Sequence, residues 1–397
     1  MKVLVLNAGS SSLKYQLIDM RDESLIAKGV CDRISLGGSF ISQRAAGSDE
    51  VRYETPMPTH FEAIKEILKA LVSPEFGVIK SLDEIAAVGH RVVHSGEDFT
   101  SAVLIDDRSI VRIESNYELA PLHMVPNITG MKACREVLPG VPQAAVFDTT
   151  FHATMPDYAY MYAIPYEDYR QYKIRKYGFH GTSHQFVSGE AAKLMGTDQI
   201  KTVVCHLGNG ASVSAVKNGK CVDTSMGLTP LEGLIMGTRS GDIDPAVLQF
   251  LMDKTGMTIQ EATDYLNKKS GVKGVSGVSS DFRDLIAAMD EGNDRARLAI
   301  EMFSYRVKKY IGSYAAAMGG LDCIAFTGGI GENTEIVREL VMKDMEYLGV
   351  DFDFKKNRNV KRGAVTALST ERSRVSVYII PTNEELVIAR ETVKLKP

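Results

Sequence analysis

The feature that most constrains this chain is a short strand break, rich in glycine and serine, that occurs twice. "LVLNAGSSSLKYQLI" (4–18) interrupts a run of strand formers and then resumes the alternation of apolar residues. "TVVCHLGNGASVSAV" (202–216) repeats this form about half the chain further on. An ordinary hairpin needs two to five residues and one glycine, not a tract of hydroxyls. The repeat therefore predicts an internal duplication.

Each break lies in a predicted three-stranded meander. The predicted strands cover 2–7, 13–19 and 24–34 in the first copy, and 202–207, 212–216 and 221–225 in the second. A helix is predicted at 59–71, with Thr59 and Glu62 at capping-box spacing. Further helices are predicted from a cap at Ser183 to near Gly196, and at 294–318 with Asn293 as N-cap. This order of strands and helices predicts an α/β fold with two similar lobes and a cleft between them.

The second meander needs its own supporting elements, which places the domain boundary near 150. The expected domains are an N-terminal lobe (1–150) and a C-terminal, nucleotide-binding lobe (151–382). We expect the closing helix (383–397) to pack back on the N-terminal lobe.

Composition excludes several classes of protein. The 397 residues are 44% hydrophobic and 24% charged, which is typical of globular proteins. A net charge of -4 gives no reason to expect nucleic acid or an anionic membrane as partner. Five cysteines without a CxxC pair disfavour a zinc or redox motif and fit a reducing cytosol. No apolar run is long enough to span a bilayer. We expect a cytoplasmic protein.

The glycines of the two breaks allow backbone N–H groups to approach an anion closely, and the serine hydroxyls add donors. Together the breaks would form a phosphate clamp, although for either break alone a plain hairpin loop is the favoured explanation. The chain has no GxxxxGK[ST] sequence, so neither is a Walker A loop. A third loop, "GGIGEN" (328–333), opens a predicted helix, whose N-terminus attracts anions. A tight strand-to-helix turn is the alternative.

Four polar side chains stand where a ligand could contact them. Arg91 lies in an apolar, strand-like run, and Arg239 lies among glycines. Asp148 ends an apolar strand, a position typical of active sites in α/β proteins. His180 lies between glycines in "KYGFHGTSH" (176–184). A surface arginine, a capping aspartate and a structural histidine are the alternative interpretations.

These motifs together resemble the acetokinase family, within the sugar kinase, Hsp70 and actin superfamily. The resemblance covers essentially the whole chain, and eight motifs occur in the family's order. They are "LVLNAGSSSLKY", "VFDTTFH", "GFHGTSH", "HLGNGAS", "PLEGLIMGTRSGDIDP", "GVSSDFRDL", "FTGGIGEN" and "TNEELVIAR".

The resemblance implies a duplicated actin- and Hsp70-like (ribonuclease H-like) βββαβαβα core and a homodimer. It implies reversible transfer of the γ-phosphoryl group of ATP to acetate, giving acetyl phosphate and ADP, with Mg²⁺ or alternatively Mn²⁺. Propionate kinase, which has nearly the same motifs and a larger pocket, is the alternative within the enzyme class. An Hsp70- or actin-like ATPase is the alternative outside it.

The resemblance also implies a role for each matched position. The catalytic positions are Asp148, His180, Arg239 and Arg91, of which Arg91 also binds the substrate. The other substrate positions are Val93, Leu122, His123, Phe179 and Pro230. The nucleotide positions are Lys14, His206, Leu207, Gly208, Asn209, Gly210, Asp281, Phe282, Arg283, Gly329, Ile330, Gly331, Glu332 and Asn333. The metal positions are Asn7 and Glu384.

Two of these roles have competing interpretations. The superfamily usually carries an aspartate where this chain has Asn7, so direct metal ligation by Asn7 stays open. Glu384 begins a predicted helix, and the helix dipole explains an acid there without any metal. A carboxylate nucleophile is already ionised at neutral pH and needs no base. Asp148 is therefore interpreted as a positioning group for metal or arginine.

Overall fold

The computed structural model describes residues 1–395, apart from the side chain of Leu122. The chain forms two compact units. One is Met1–Phe151 together with the described residues from Asn383 onward, and the other is His152–Thr382. Residues 396 and 397, the end of the predicted closing helix, lie outside the described part.

The first unit is built on an eight-stranded sheet. Its strands are β1 (Lys2–Ala8), β2 (Ser12–Asp19), β3 (Ser24–Asp32), β4 (Phe40–Ala45), β5 (Glu50–Glu54), β6 (Ile85–Val92), β7 (Val103–Leu104) and β8 (Gln143–Phe147). Their order across the sheet is β5-β4-β3-β2-β1-β6-β8-β7. The first five strands pair antiparallel, whereas β6 runs parallel to both β1 and β8. The hairpin of β4 and β5, which sequence patterning did not predict, extends the meander.

Three α-helices lie between β5 and β8 in the chain: α1 (His60–Leu71), α2 (Asp107–Ser115) and α3 (Pro121–Val137). The predicted capping box of α1 is confirmed, because Thr59 and Glu62 exchange both hydrogen bonds. Its apolar stripe (Ile64, Ile67, Leu68 and Leu71) is buried against the sheet residues Leu4, Leu6, Leu13 and Leu17. Burial of an aliphatic side chain stabilises the fold by about 1.5–3 kcal/mol.

The second unit has a six-stranded sheet. Its strands are β9 (Lys201–Leu207), β10 (Ala211–Lys217), β11 (Lys220–Thr224), β12 (Cys323–Thr327), β13 (Thr366–Ala367) and β14 (Ser376–Ile379), in the order β11-β10-β9-β12-β14-β13. Here too β12 runs parallel to the first strand of a meander, β9, and to the next strand, β14. Asn218 and Gly219 both have positive φ, as the predicted hairpin turn requires.

The helices between β8 and Thr382 belong to the second unit. They are α4 (Asp157–Tyr160), α5 (Tyr166–Tyr172), α6 (Gly181–Met195), α7 (Ala246–Thr255), α8 (Ile259–Lys268), α9 (Gly271–Ser276), α10 (Phe282–Asp290), α11 (Asp294–Met318), α12 (Gly328–Asn333), α13 (Glu335–Met342) and α14 (Phe354–Asn357). The predicted long helix is confirmed as α11, with Asn293 as N-cap.

The predicted start of α6 is wrong. Ser183 lies inside the helix, and the N-cap is His180 in the left-handed conformation (φ 57°). Gly181 follows His180 directly, and Gly178, two residues before it, has positive φ, a conformation that glycine adopts without strain.

The predicted duplication is confirmed by the two sheets. In each, the third, second and first strands of a meander are followed by two parallel strands. Both breaks are tight hairpins between the first two strands: Gly9 N–H donates to the Ser12 carbonyl at 2.8 Å, and Gly208 N–H to the Gly210 carbonyl at 3.2 Å.

The last helix, α15 (Glu384–Leu395), packs on β1, β6 and β8 of the first sheet. Gly89 of β6 allows this approach. A Cβ atom there would lie 2.5 Å from Thr392 Oγ1 and 2.7 Å from an Ile388 methyl carbon. The glycine inside a strand is thus explained by the closeness of the helix.

Candidate active site

An arginine and an aspartate pair at the carboxyl ends of β6 and β8. Arg91 donates two hydrogen bonds to Asp148, from Nε to Oδ1 at 2.9 Å and from Nη2 to Oδ2 at 2.6 Å. Its Nη1 donates to Asn7 Oδ1, at the end of β1, at 3.3 Å. Because β1, β6 and β8 run parallel, their carboxyl ends lie at one edge of the sheet. The structure therefore gathers three of the predicted residues into one cluster.

The charges of this cluster depend on one another. Asp148 raises the pKa of Arg91, and the charges of Glu384 and Glu385 add to that effect. Burial raises the pKa of Asp148, while Arg91 opposes that shift. The bidentate geometry requires an ionised carboxylate. Both carboxylate oxygens of Asp148 are thus occupied by hydrogen bonds from Arg91.

Asn127 of α3, which the sequence analysis did not single out, links the two strands that carry Asn7 and Arg91. Its Oδ1 accepts from the Val93 N–H at 3.0 Å, and its Nδ2 donates to the Ala8 carbonyl at 2.9 Å. Asn127 is only 3% exposed. The available signal was an amide among the apolar residues of a helix.

Lys14 and Asn7 line a cavity of about 230 Å³ on the face of the first sheet. Lys14 pairs directly with Asn7 across β1 and β2. Lys28, Arg44 and Glu385 also line this cavity, so that it carries several charges.

Two more predicted residues, Arg239 and His180, lie beside the hairpin between β9 and β10. A Cβ atom on Gly210 would lie 3.5 Å from Arg239 Nη1 and 3.7 Å from His180 Nε2. Arg239 donates weakly to the Pro230 carbonyl at 3.5 Å, and burial lowers its pKa. Among residues 1–395 it has no carboxylate within ion-pair distance, so this cation faces the hairpin without a counter-charge.

His180 and His206 stack with ring centroids 4.3 Å apart. His180 Nδ1 lies 2.9 Å from Ser212 Oγ, and His206 Nδ1 lies 2.7 Å from Ser183 Oγ. Both rings are thus oriented by serine hydroxyls.

Most predicted nucleotide residues line one cavity of about 340 Å³ in the second unit. Predicted residues in its wall are Gly208, Asn209, Asp281, Phe282, Arg283, Gly329, Ile330 and Asn333. Residues that the sequence analysis missed are Ser280, Ile286, Thr334 and Arg362. Ile286 follows Phe282 by four residues on α10, a spacing that could have indicated it. Leu207 and Gly331 are buried and do not line this cavity.

Glu332 does not point into that cavity. Its Oε1 accepts from the Gly328 N–H at 2.9 Å, so the carboxylate folds back on the first turn of its own helix. Burial raises the pKa of Glu332. The expected loop over "GGIGEN" (328–333) is wrong, because these residues form the short helix α12. The helix expected after it is confirmed as α13.

The predicted substrate residues divide between the units. Val93 and His123 lie in the first unit, and Phe179 and Pro230 lie in the second. Val93 directly follows Val92, the last residue of β6, and is buried. The side chain of Leu122 lies outside what the structure describes.

No group of three or more His, Cys, Asp or Glu side chains within the described chain is arranged to hold a metal ion. Glu384 begins α15, and its charge raises the pKa of both Arg91 and Asp148. Magnesium is commonly held by one or two carboxylates together with water and substrate phosphates. Glu384 and the amide oxygen of Asn7 fit that mode of binding.

No helix in the described residues is long and apolar enough to cross a membrane.

Comparisons with known proteins agree with this geometry. The acetokinase family model matches residues 2–390. The acetate kinase of Agathobacter rectalis is 59% identical over 397 residues and is matched over 100% of both chains. The crystal structure of Porphyromonas gingivalis acetate kinase matches with a TM-score of 0.97 and 48% identity over 100% of both chains. A propionate kinase from Francisella tularensis subsp. tularensis matches with a TM-score of 0.91 and 41% identity over 99% of both chains. At this identity over its full length, the chain belongs to the acetokinase family.

Proposed function

We propose that the protein transfers the γ-phosphoryl group of ATP to acetate, reversibly, giving acetyl phosphate and ADP. The observation that carries this proposal is the meeting of Arg239, His180 and Gly210 at the second hairpin. A cation without a counter-charge, an imidazole and a glycine that admits close approach suit a phosphoryl group in transfer.

The main obstacle to this reaction is repulsion between the acetate carboxylate and the phosphates. Two unit charges 4 Å apart repel by about 4 kcal/mol at an effective dielectric constant of 20. Arg91 would bind the carboxylate, and Arg239 and His180 would stabilise the charge of the transferring group. Asp148 would hold Arg91 in position and accept no proton.

Glu384 and Asn7 would hold a magnesium ion together with the phosphates. When bound, the ion would neutralise phosphate charge. Manganese has similar oxygen ligands and would also fit.

The cavity of the second unit would hold the nucleotide. Its size suits a small ligand, and Phe282, Ile286 and Ile330 supply apolar surface for a base. Lys14 and His206 would contact the phosphates.

The protein would act as a homodimer in the cytoplasm. Support for the dimer comes from α7 of the second unit, a ten-residue helix without a buried residue. Its Val247 and Phe250 are 40% and 61% exposed. Large exposed apolar side chains on one helix are typical of a protein interface.

The experiment is a hydroxamate assay with ATP and either acetate or propionate. We expect acetate to be preferred roughly tens-fold, because one methylene in an apolar pocket changes binding by about 1–3 kcal/mol. We propose that Val93 contacts the methyl group of acetate. Val93→Ala should therefore lower the ratio of kcat/KM for acetate to kcat/KM for propionate. Preference for propionate would favour the alternative, a propionate kinase. ATP hydrolysis without any acyl phosphate would contradict both.

A further inference from the structure

Behind His180 lies a buried chain of hydroxyl and imidazole groups. Ser212 Oγ of β10 lies 2.9 Å from His180 Nδ1 and 2.7 Å from His184 Nε2. His184 Nδ1 lies 2.7 Å from Ser214 Oγ, two residues further along the strand. Ser212, Ser214 and His184 are completely buried.

Ser214, the last group of this series, sets the direction of its hydrogen bonds. Ser214 Oγ has one hydrogen-bond partner in the described structure, His184 Nδ1. If His184 Nδ1 carried the proton, the Ser214 hydroxyl hydrogen would be buried without an acceptor, which is costly. Ser214 therefore donates to His184 Nδ1.

The remaining hydrogen positions follow in order. Burial, with other histidines nearby, lowers the pKa of His184 well below its ordinary value, so the ring is neutral and carries one proton. That proton is on Nε2 and is donated to Ser212. A hydroxyl has one hydrogen, so Ser212 donates it to His180 Nδ1. His180 Nδ1 is then an acceptor.

We propose that Ser214, His184 and Ser212 form a one-directional hydrogen-bond relay that holds His180 as a neutral imidazole with its proton on Nε2. This inference rests on the proposed function. Nε2 is the nitrogen that lies 3.7 Å from a Cβ position on Gly210, next to Arg239. With the proton there, His180 donates a hydrogen bond to a phosphoryl oxygen without first being protonated. His184 and the two serines are positioning residues.

The other histidines near the relay do not reverse it. His206 stacks on His180, and its own Nδ1 is bonded to Ser183. The ring centroids of His152 and His184 lie 5.5 Å apart. Burial lowers the pKa of His152 to about 4, so the His152 ring is neutral as well.

The test is a long-range proton–nitrogen NMR spectrum of the nucleotide-free protein labelled with ¹⁵N-histidine at pH 7.5. The His180 signals are identified by their loss in His180→Gln. We expect wild-type His180 and His184 to show a protonated Nε2 and an unprotonated Nδ1.

Two substitutions of His184 form a matched pair. His184→Gln keeps an N–H donor for Ser212 and should preserve the His180 signals and most of the turnover. His184→Phe removes the donor and should give a mixture of His180 tautomers. Its turnover should fall roughly tenfold, whereas the KM values for acetate and ATP should change less than about twofold. Ser188→Ala, which removes a buried hydroxyl from the same helix, should leave the His180 signals unchanged.

If His184→Phe does not fold, Ser214→Ala tests the same relay by removing one hydroxyl, and it should populate the second tautomer of both rings. A wild-type His180 protonated on Nδ1 would overturn the relay. So would His180 signals that are unchanged in both His184→Phe and Ser214→Ala. The spectrum does not depend on turnover, so a wild type without acetate-dependent activity would overturn the proposed function alone.

Discussion

Arg239 is a half-buried cation that donates to a backbone carbonyl oxygen and a thioether, whereas Arg91 donates to a carboxylate. Burying a charge without a partner is unfavourable, and the lowered pKa of its guanidinium reflects that cost. A phosphoryl group at Gly210 would supply the missing counter-charge.

We therefore expect Arg239→Gln to lower kcat about a hundredfold, as loss of one preorganised donor does in other enzymes. Arg239→Lys should retain part of the activity because it keeps the charge and loses the planar fork. Steady-state hydroxamate assays measure both. Arg297→Gln, which removes an exposed arginine from α11, is the control and should keep normal turnover. Equal activity of Arg239→Gln and wild type would remove Arg239 from the site.

The buried environment of His90, on β6, predicts how the stability of the protein depends on pH. Its Nε2 lies 2.8 Å from Gln143 Oε1, and burial lowers its pKa from 6.5 to about 4. Between these values the unfolded chain binds a proton that the folded chain does not. The contribution of neutral His90 to the free energy of unfolding is therefore fully present above about pH 6.5 and is lost as the pH decreases toward 4.

At pH 5 this single histidine should cost about 2 kcal/mol of stability. His90→Gln keeps a hydrogen-bond donor and cannot titrate, so the loss of melting temperature between pH 7 and pH 5 should be smaller in the variant. Differential scanning calorimetry at one scan rate measures the two differences. Identical pH dependence would show that His90 does not titrate as its burial implies.

At the scale of elements, the contact of α15 with β6 connects packing to the site. Gly89 and Arg91 lie on the same face of β6, because alternate residues of a strand share a face. The helix that Gly89 admits carries Glu384 at its first turn. A displaced α15 would therefore move the Glu384 carboxylate relative to Arg91 and Asp148.

Gly89→Ala should lower stability by about 1–3 kcal/mol through overpacking and should also raise the magnesium concentration needed for half-maximal activity. Gly189→Ala is the matched control, because nothing lies within 4 Å of a Cβ atom at that helical position. It should leave activity unchanged and increase stability by up to about 1 kcal/mol. Thermal unfolding and a magnesium titration compare the variants, and a Gly89→Ala protein with wild-type values in both would contradict the role given to this glycine.

At the scale of the whole molecule, the proposed dimer explains why α7 has no buried residue although six of its ten residues are apolar. Phe250→Asp would place a charge in an apolar interface, where it would be desolvated. We expect sedimentation velocity to give twice the chain mass of 43.5 kDa for the wild type and a single chain for the variant. Tyr347→Asp, at a residue that is 70% exposed elsewhere, should remain a dimer. A monomeric wild type would overturn the assembly.

Local patterns were sufficient for much of this fold. Strand alternation located both meanders, and the capping residues Thr59 and Asn293 placed the starts of α1 and α11, because these signals lie within a few residues of the structure they specify. The ends of apolar strands also located Arg91 and Asp148.

Contacts between distant residues decided the rest. Asn127 joins β1 to β6 across 119 and 34 residues of chain, and Arg362 reaches a cavity whose other walls lie far away in sequence. The left-handed cap at His180 and the relay through Ser212 likewise depend on a helix and a strand that pack together. A sequence pattern determines which face of an element is apolar, but partners of buried polar groups depend on how elements pack, and only the tertiary structure contains that information.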